Sequence, residues 1–289
     1  MCGDMELVSY LQRFIGYCLT GKTSEQILNF WYGLGGNGKT TLMNIIQPLL
    51  GDYTTNADTS LIMKKNSGGD GNRLAMLAGL RGARLVTLSE VNEGEKLDEA
   101  AIKTYTGGDT ITCRNLYQDF FSYVPQSKLV GFGNYKPHIR GRDHGIWRRI
   151  HLVPFKAQIT DDEKDPYLPD KLIKELPGIL AWAVSGCLDW QRSGLMPPKA
   201  MIDAVQEYRQ AEDIFQCFLN DCCSIGEYKR ASASELISSF KTYSGWYTIS
   251  DKKFGEMLRE KGFTKITSNG VKWLGISLGV EPLEPSPPF

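Results

Sequence analysis

The stretch Ile27–Leu50, ILNFWYGLGGNGKTTLMNIIQPLL, constrains the fold more than any other part of this 289-residue chain. An apolar, β-rich run ends at Tyr32 and glycines follow it. From Lys39 onward Leu42, Met43, Ile45, Ile46, Leu49 and Leu50 recur at a helical period. Gly33, Gly38, Lys39 and Thr40 fill the fixed places of G-x-x-x-x-G-K-[ST], in the strand, loop and helix context that this pattern requires. A polyphosphate carries several charges, so the loop around it must offer backbone N–H groups that side chains do not obstruct. Gly33, Gly35, Gly36 and Gly38 meet that need. Lys39 is expected to reach the β- and γ-phosphates while the Thr40 hydroxyl ligates Mg²⁺.

Acidic and basic residues balance at 33 each. No overall field marks the chain for a polyanion, so nucleic-acid contacts have to come from local clusters. Seven cysteines, Cys2, Cys18, Cys113, Cys187, Cys217, Cys222 and Cys223, make no C-x-x-C pair, and His138, His144 and His151 do not flank them at metal-ligand spacing. Free thiols in a reducing cytoplasm, bacterial or host-cell, are expected. The start, MCGDMELVSYLQRF, is amphipathic rather than basic and then apolar, and no apolar run approaches membrane-spanning length. A soluble protein with no membrane partner is expected.

Five segments follow from the patterning: a helical segment over 1–26, a core over 27–158, a helical lid over 159–226, a small domain over 227–278 and a proline-rich, disordered tail over 279–289. Residues 52–82 are polar and glycine-rich and read as an exposed loop leading into a helical LAMLAGL. RLVTLSE is a short strand that delivers Glu90 at its carboxyl end, the edge that faces the loop in a parallel sheet. Glu90 is the candidate to hold Mg²⁺ through water and to polarise an attacking water, with Glu93 and Glu95 as exposed alternatives. A charged amphipathic helix over 95–105 precedes ITCRNLYQDFFSYVPQ, whose alternation on either side of Asn115–Gln118 predicts a hairpin. KLVGFGN ends at the same sheet edge in Asn134, where an amide orients a water beside a γ-phosphate; a simple turn residue before Lys136-Pro137 is the plainer role. GIWRRIHLVPF is a strand entered through Arg148 and Arg149. Their planar guanidinium groups suit phosphate charge, above all when inserted from a neighbouring subunit; a surface salt bridge is the plainer use.

Beyond residue 229 come two amphipathic helices, over 232–243 and 250–261, and a hairpin, FTKITSNGVKWLGI, turning at Ser268-Asn269-Gly270. Two helices and a two-stranded wing make a winged-helix candidate. Lys252, Lys253, Arg259, Lys261, Lys265 and Lys272 are then available to phosphates and Trp273 packs the wing; a protein-binding domain is the alternative.

With these pieces in this order, the sequence resembles the superfamily 3 helicases, in particular the helicase half of phage and plasmid primase-helicases and their poxvirus relatives. The resemblance rests on LQRFIGYCLTGKTSEQ before the loop, GLGGNGKTT as motif A and RLVTLSE as motif B. It continues through EKLDEAAIKTYTGGDTITCRNLYQDFFSYVPQ as motif B′, KLVGFGNYKP as motif C and GIWRRIHLVPF after it. It implies an α/β fold of the AAA+ P-loop kind, a parallel sheet with helices on both faces, followed by the lid and the winged-helix-like domain. It also implies ATP hydrolysis with Mg²⁺ at subunit interfaces, a homo-hexameric ring around single-stranded DNA, and movement 3′ to 5′. Motif A then spans the nucleotide-binding residues Gly33, Gly35, Gly36, Asn37, Gly38, Lys39, Thr40 and Thr41. Glu90 falls on the motif B acid, with Thr40 the other metal residue, and Asn134 resembles sensor 1. Lys103 matches a basic residue that reaches the neighbour's phosphates. Arg149 best matches the arginine finger, with Arg148 the adjacent alternative. The B′ hairpin is the DNA-gripping element, which points to Arg114, Asn115 and Tyr117.

Two departures stand out. Ser89 precedes Glu90 where relatives often have a second acid, and Gln118-Asp119 occupy the hairpin tip where relatives tend to have a lysine. The grip then falls to Arg114 and to stacking by Tyr117. No primase or polymerase half is evident, so an excised fragment or a stand-alone helicase that recruits a separate primase or polymerase is expected. The function expected is an ATP-dependent DNA helicase or translocase replicating a phage, plasmid or related element on single-stranded and forked duplex DNA. A replication initiator or loader that uses ATP only for assembly is the alternative.

Overall fold

A computed structural model describes residues 4–64, 70–139, 141, 143–267 and 270–279. The expectations for the Ser268-Asn269 turn corner, the residue 65–69 part of the polar cluster and the 280–289 part of the tail lie outside the described residues. The chain divides into two compact units, Met1–Arg209 and Gln210–Phe289. The division falls inside 159–226, the stretch whose sequence suggests a lid.

The first unit is built on a parallel five-stranded sheet of β1 (Leu28–Tyr32), β2 (Thr54–Ala57), β3 (Leu85–Glu90), β6 (Lys128–Gly133) and β7 (Ile150–Pro154). The spatial order is β2-β3-β6-β1-β7. Successive side chains point to opposite faces of a strand, and both faces here are buried. Leu28 and Phe30 of β1, Val86 and Leu88 of β3 and Leu152 of β7 join one core with Ile102, Tyr105 and Trp147. Trp31, Leu85, Val130 and Val153 join the other with Leu11, Phe14, Met43 and Ile46. The helix Met5–Cys18 and the loop-following helix Lys39–Leu50 cover that second face. A α/β fold with helices on both faces is what the sequence implied.

The stretch 52–82 is more ordered than its polarity suggests. Thr54–Ala57 forms β2, and a helix already begins at Asp70 and runs to Gly79. The strand was hidden because TTNA is an edge strand without apolar alternation, held by backbone pairing to Leu85–Leu88. Between β3 and β6, the helix Glu99–Gly107 is capped by Asp98, and β4 (Ile111–Cys113) pairs antiparallel with β5 (Phe121–Tyr123) as the expected hairpin. Helices Leu168–Lys174, Leu176–Ser193 and Lys199–Glu212 follow β7.

In the second unit, helices Ile214–Cys222, Ala233–Ser244 and Asp251–Glu260 enclose one core with a three-stranded antiparallel sheet. The sheet comprises β8 (Cys223–Ser232), β9 (Thr264–Thr267) and β10 (Val271–Leu278), in the order β8-β10-β9. The helix, helix and hairpin order matches the sequence reading. Strand β8 was not anticipated, because CSIGEYKRAS is largely polar and its outward face stays exposed.

Candidate active site

Three strand ends set the site. In register, Tyr32 of β1 pairs with Gly133 of β6, and Glu90 of β3 pairs with Phe132 of β6. The phosphate loop, Glu90 and Asn134 therefore leave the same carboxyl edge of the sheet from strands β1, β3 and β6, the place where parallel sheets bind ligands.

The loop is fixed from within. Asn37, buried, donates from Nδ2 to the carbonyl oxygen of Phe155 at 3.1 Å and to that of Leu34, which ties the loop to the end of β7. Lys39 donates from Nζ to Gly33 O at 2.6 Å and to Asn37 Oδ1 at 3.1 Å. Gly33 has φ 149°, and a Cβ there would lie 2.2 Å from the Phe155 carbonyl oxygen, so this position admits no side chain. Gly36 and Gly38 turn through left-handed backbone, and Gly35 faces open space. Burial lowers the pKa of Lys39, and the carboxylate of Glu90 pulls it partly back. No carboxylate forms an ion pair with Lys39 among the described residues. A buried cation at the start of a 12-residue helix, beneath a glycine loop and with the exposed Thr40 hydroxyl beside it, fits a polyphosphate with its magnesium ion.

Glu90 and Asn134 are exposed, whereas Ser89 accepts a hydrogen bond from the Thr59 N–H at 3.1 Å. The serine that replaces a second acid is thus committed to the turn after β2, and Glu90 remains the one motif B carboxylate at this edge. A cavity of about 350 Å³ extends from Lys39 and Thr40 along the helix to Asn44, Gln47, Asn56, Thr87 and Ser89. Gln47 donates to Asn56 Oδ1 at 2.8 Å and to Thr87 Oγ1 at 3.3 Å. Sequence reading missed this polar wall; its one signal was Thr87, a hydroxyl in the middle of an otherwise apolar strand.

The basic candidates gather at the opposite edge. Lys103 forms an exposed ion pair with Asp143, Nζ to Oδ2 2.7 Å, and Asp143 also caps the short helix His144–Trp147. Arg149 is buried, donating to Thr106 Oγ1 at 3.2 Å and to the Gly145 carbonyl oxygen at 2.5 Å. Burial and then the adjacent Arg148 charge lower its pKa. Arg148 is exposed and donates to Gln26 Oε1 at 2.7 Å. Gln26 and Arg148 precede β1 and β7, which pair in parallel from Leu28↔Ile150 to Tyr32↔Pro154. Five residues at ~3.3 Å each put about 16 Å of strand between the backbone at these positions and the loop edge. Of the residues that hold the three basic groups, Asp143 lies outside the matched motifs, while Gln26 and Thr106 lie within them without being singled out.

The β4–β5 hairpin is open by contrast. Tyr117 has φ 61° and is fully exposed. Arg114 lies 4.8 Å from the ring centroid of the exposed Phe120, a second aromatic that sequence reading did not single out. Asn115 is partly committed, donating from Nδ2 to Gln118 Oε1 at 2.9 Å.

Residues 31–149 match a family described as "Family of unknown function (DUF5906)". The chain is 30% identical over 235 residues to a "Putative helicase" of Acanthamoeba polyphaga mimivirus, covering 75% of this chain and 24% of that protein. It is 26% identical over 292 residues to a "Putative helicase" of Frog virus 3, covering 91% and 29%. With a "Putative primase" of African swine fever virus it shares 30% identity over 146 residues, 50% of this chain and 15% of that protein. The chain thus spans about a quarter of the length of the first two relatives. Among solved structures, the apo C-terminal region of NrS-1 is similar with a TM-score of 0.57 at 11% identity, over 95% of this chain and 75% of that one, a likeness of fold. No helix among the described residues is long and apolar enough to cross a membrane.

Proposed function

We propose, from the premise that this chain is a homologue of the helicases and primases of large DNA viruses and of the superfamily 3 primase-helicase kind, that it is an ATP-dependent DNA helicase or translocase of replication. Its hydrolytic site is shared between neighbouring copies in a ring, read as a hexamer moving 3′ to 5′ on single-stranded DNA. The observation that carries the reading is the separation within one copy. The loop, Glu90 and Asn134 occupy the carboxyl edge of the sheet, while Arg148, exposed, and Lys103, half-buried in its ion pair with Asp143, lie at the amino edge, too far to serve their own loop.

In this reading Lys39 exchanges its carbonyl partner Gly33 for the β- and γ-phosphates, and the loop N–H groups from Gly33 to Thr41 surround them. Thr40, and Glu90 through water, would hold a magnesium ion, which would supply neutralisation of phosphate charge. The Glu90 carboxylate accepts a proton from the attacking water, which the Asn134 amide orients. Arg148 and Lys103 of the next copy stabilise the charge that develops on the transferred phosphoryl group. Arg149, buried against Thr106 and Gly145, holds the platform from which Arg148 and Lys103 project. Hydrolysis and phosphate release remove the charge these side chains hold, so adjacent copies rotate and the β4–β5 hairpins carry the strand with Arg114, Tyr117 and Phe120.

Tailed duplexes test the proposal. ATP-dependent strand release from a 3′-tailed duplex and not from a 5′-tailed one is expected. Sequence-selective duplex binding without strand release would instead assign the chain to initiation or loading.

A further inference from the structure

The second unit holds an open groove of about 460 Å³ that neither the loop site nor the β4–β5 hairpin uses. Its walls are the helices Ala233–Ser244 and Asp251–Glu260 and the β9–β10 hairpin, and its floor includes the buried Ile237, Phe254 and Trp273. We propose that this groove binds the phosphodiester backbone of a nucleic-acid strand.

Charge is the first argument. Lys252, Arg259 and Lys265 line the groove with a single acid, Asp251, among them. All three cations are exposed, and none forms an ion pair among the described residues. Two other cations of the unit are paired, Lys253 with Glu256 at 3.7 Å and Lys261 with Asp213 at 3.3 Å. A chain with equal numbers of acids and bases thus leaves three like charges around one groove, an arrangement that repels itself until an anion enters.

Geometry is the second. Lys252 and Arg259 lie seven residues apart on one helix, on the same face and about 10 Å apart along its axis, a span that admits more than one phosphate of a strand. Lys265 stands directly opposite Trp273 in the β9–β10 pairing, which places it on the facing wall. The Arg259 guanidinium sits 6.0 Å from the Trp273 ring centroid, and Gly255 brings the helix backbone against that ring. Cations on both walls with an apolar floor between them suit a sugar-phosphate strand, with phosphates at the rim and sugar faces inward. An apolar peptide would leave the three charges uncompensated.

Fluorescence anisotropy of the full chain without nucleotide tests this, using labelled single-stranded and duplex oligonucleotides of unrelated sequences over a salt series. The triple variant Lys252→Ala/Arg259→Ala/Lys265→Ala is expected to bind at least ~10-fold more weakly, equally across sequences, with the log affinity against log salt slope reduced by about 2 to 3. A larger loss on one of the two forms identifies which strand the groove takes. Lys253→Ala, which removes a paired cation, is expected to change affinity less than ~2-fold. The charge-retaining Lys252→Arg/Arg259→Lys/Lys265→Arg variant should keep wild-type affinity and slope. Unchanged affinity and slope in the triple alanine variant on both DNA forms, or an equal loss in the charge-retaining variant, overturns the proposal. DNA-independent ATP hydrolysis is expected to be untouched, so failure of this site and failure of the helicase reading are separate results.

Discussion

The phosphate loop and the β4–β5 hairpin both carry residues matched by motif, yet they are built in opposite ways. In the loop, Asn37 is buried, Lys39 holds two oxygen partners, and Gly33 tolerates no side chain. In the hairpin, two three-residue strands carry Arg114, Tyr117 and Phe120 outward, and Tyr117 has its whole side chain in solvent. On the proposed function the loop receives a small polyanion, and such a pocket has to be organised before the ligand arrives, because its N–H groups must converge on one point. A surface for a long strand gains from side chains that adapt to each passing base. The same contrast recurs in two adjacent residues, with Arg149 locked inside and Arg148 presented outside.

The arginine pair offers the sharpest way to break that contrast. Arg148→Ala should leave thermal melting unchanged and lower ATP hydrolysis of the assembled protein by ~10³-fold or more, the usual weight of an arginine supplied by a neighbour. Arg149→Ala should instead destabilise the first unit by about 2 kcal/mol, since it empties a buried place and removes the guanidinium's bonds to the Gly145 carbonyl oxygen and to the Thr106 hydroxyl, which keeps only its bond to Ile102. Normal melting with lost hydrolysis in Arg149→Ala would give the finger role to Arg149.

A pH titration comes next in size. His151 of β7 shares a 2.7 Å hydrogen bond between Nδ1 and the Tyr10 hydroxyl in a buried cluster completed by Asn29 of β1, and burial lowers its pKa from 6.5 to about 4. The folded state then binds fewer protons than the unfolded state between these values, so stability is full above pH 6.5 and is lost as pH falls toward 4. The loss approaches about 3 kcal/mol. Denaturant melts of the wild type and of His151→Gln at pH 7 and pH 4.5 should show the fall only in the wild type. A fall of the same size in His151→Gln would remove this residue from the explanation.

Lys39→Ala should weaken ATP binding by roughly 10- to 100-fold, the weight of a charged hydrogen bond, without lowering the melting temperature. Isothermal titration checks it, and unchanged affinity would exclude the loop as the nucleotide site. Smallest is the hairpin effect. Tyr117→Ala should weaken single-stranded DNA binding by about 1 to 2 kcal/mol with nucleotide affinity unchanged. A matching loss in nucleotide affinity would mean that the two regions are not built independently.

The legible parts of this chain were those where local chemistry leaves one solution. Short apolar, β-rich runs marked β1, β3, β6 and β7, and the glycine pattern with Lys39 marked the loop. The placing of Glu90 and Asn134 at the carboxyl edge was legible because strand ends in a parallel sheet converge there. The polar strands β2 and β8 escaped because their stability comes from backbone pairing with neighbours distant in sequence. Adjacent arginines differ by nothing local; only the Thr106 hydroxyl and the Gly145 carbonyl decide which one is buried. The polar wall of Gln47, Asn56 and Thr87 arises from three separate elements, and no spacing within the chain encodes it.

A subunit-mixing assay bears most directly on the claim that each hydrolytic site needs two copies. Lys39→Ala and Arg148→Ala proteins should each be inactive alone. Mixed and assembled with single-stranded DNA, they should recover hydrolysis, because an intact loop on one copy then meets an intact Arg148 on the next. A mixture as inactive as its components, with assembly intact, would contradict the shared site.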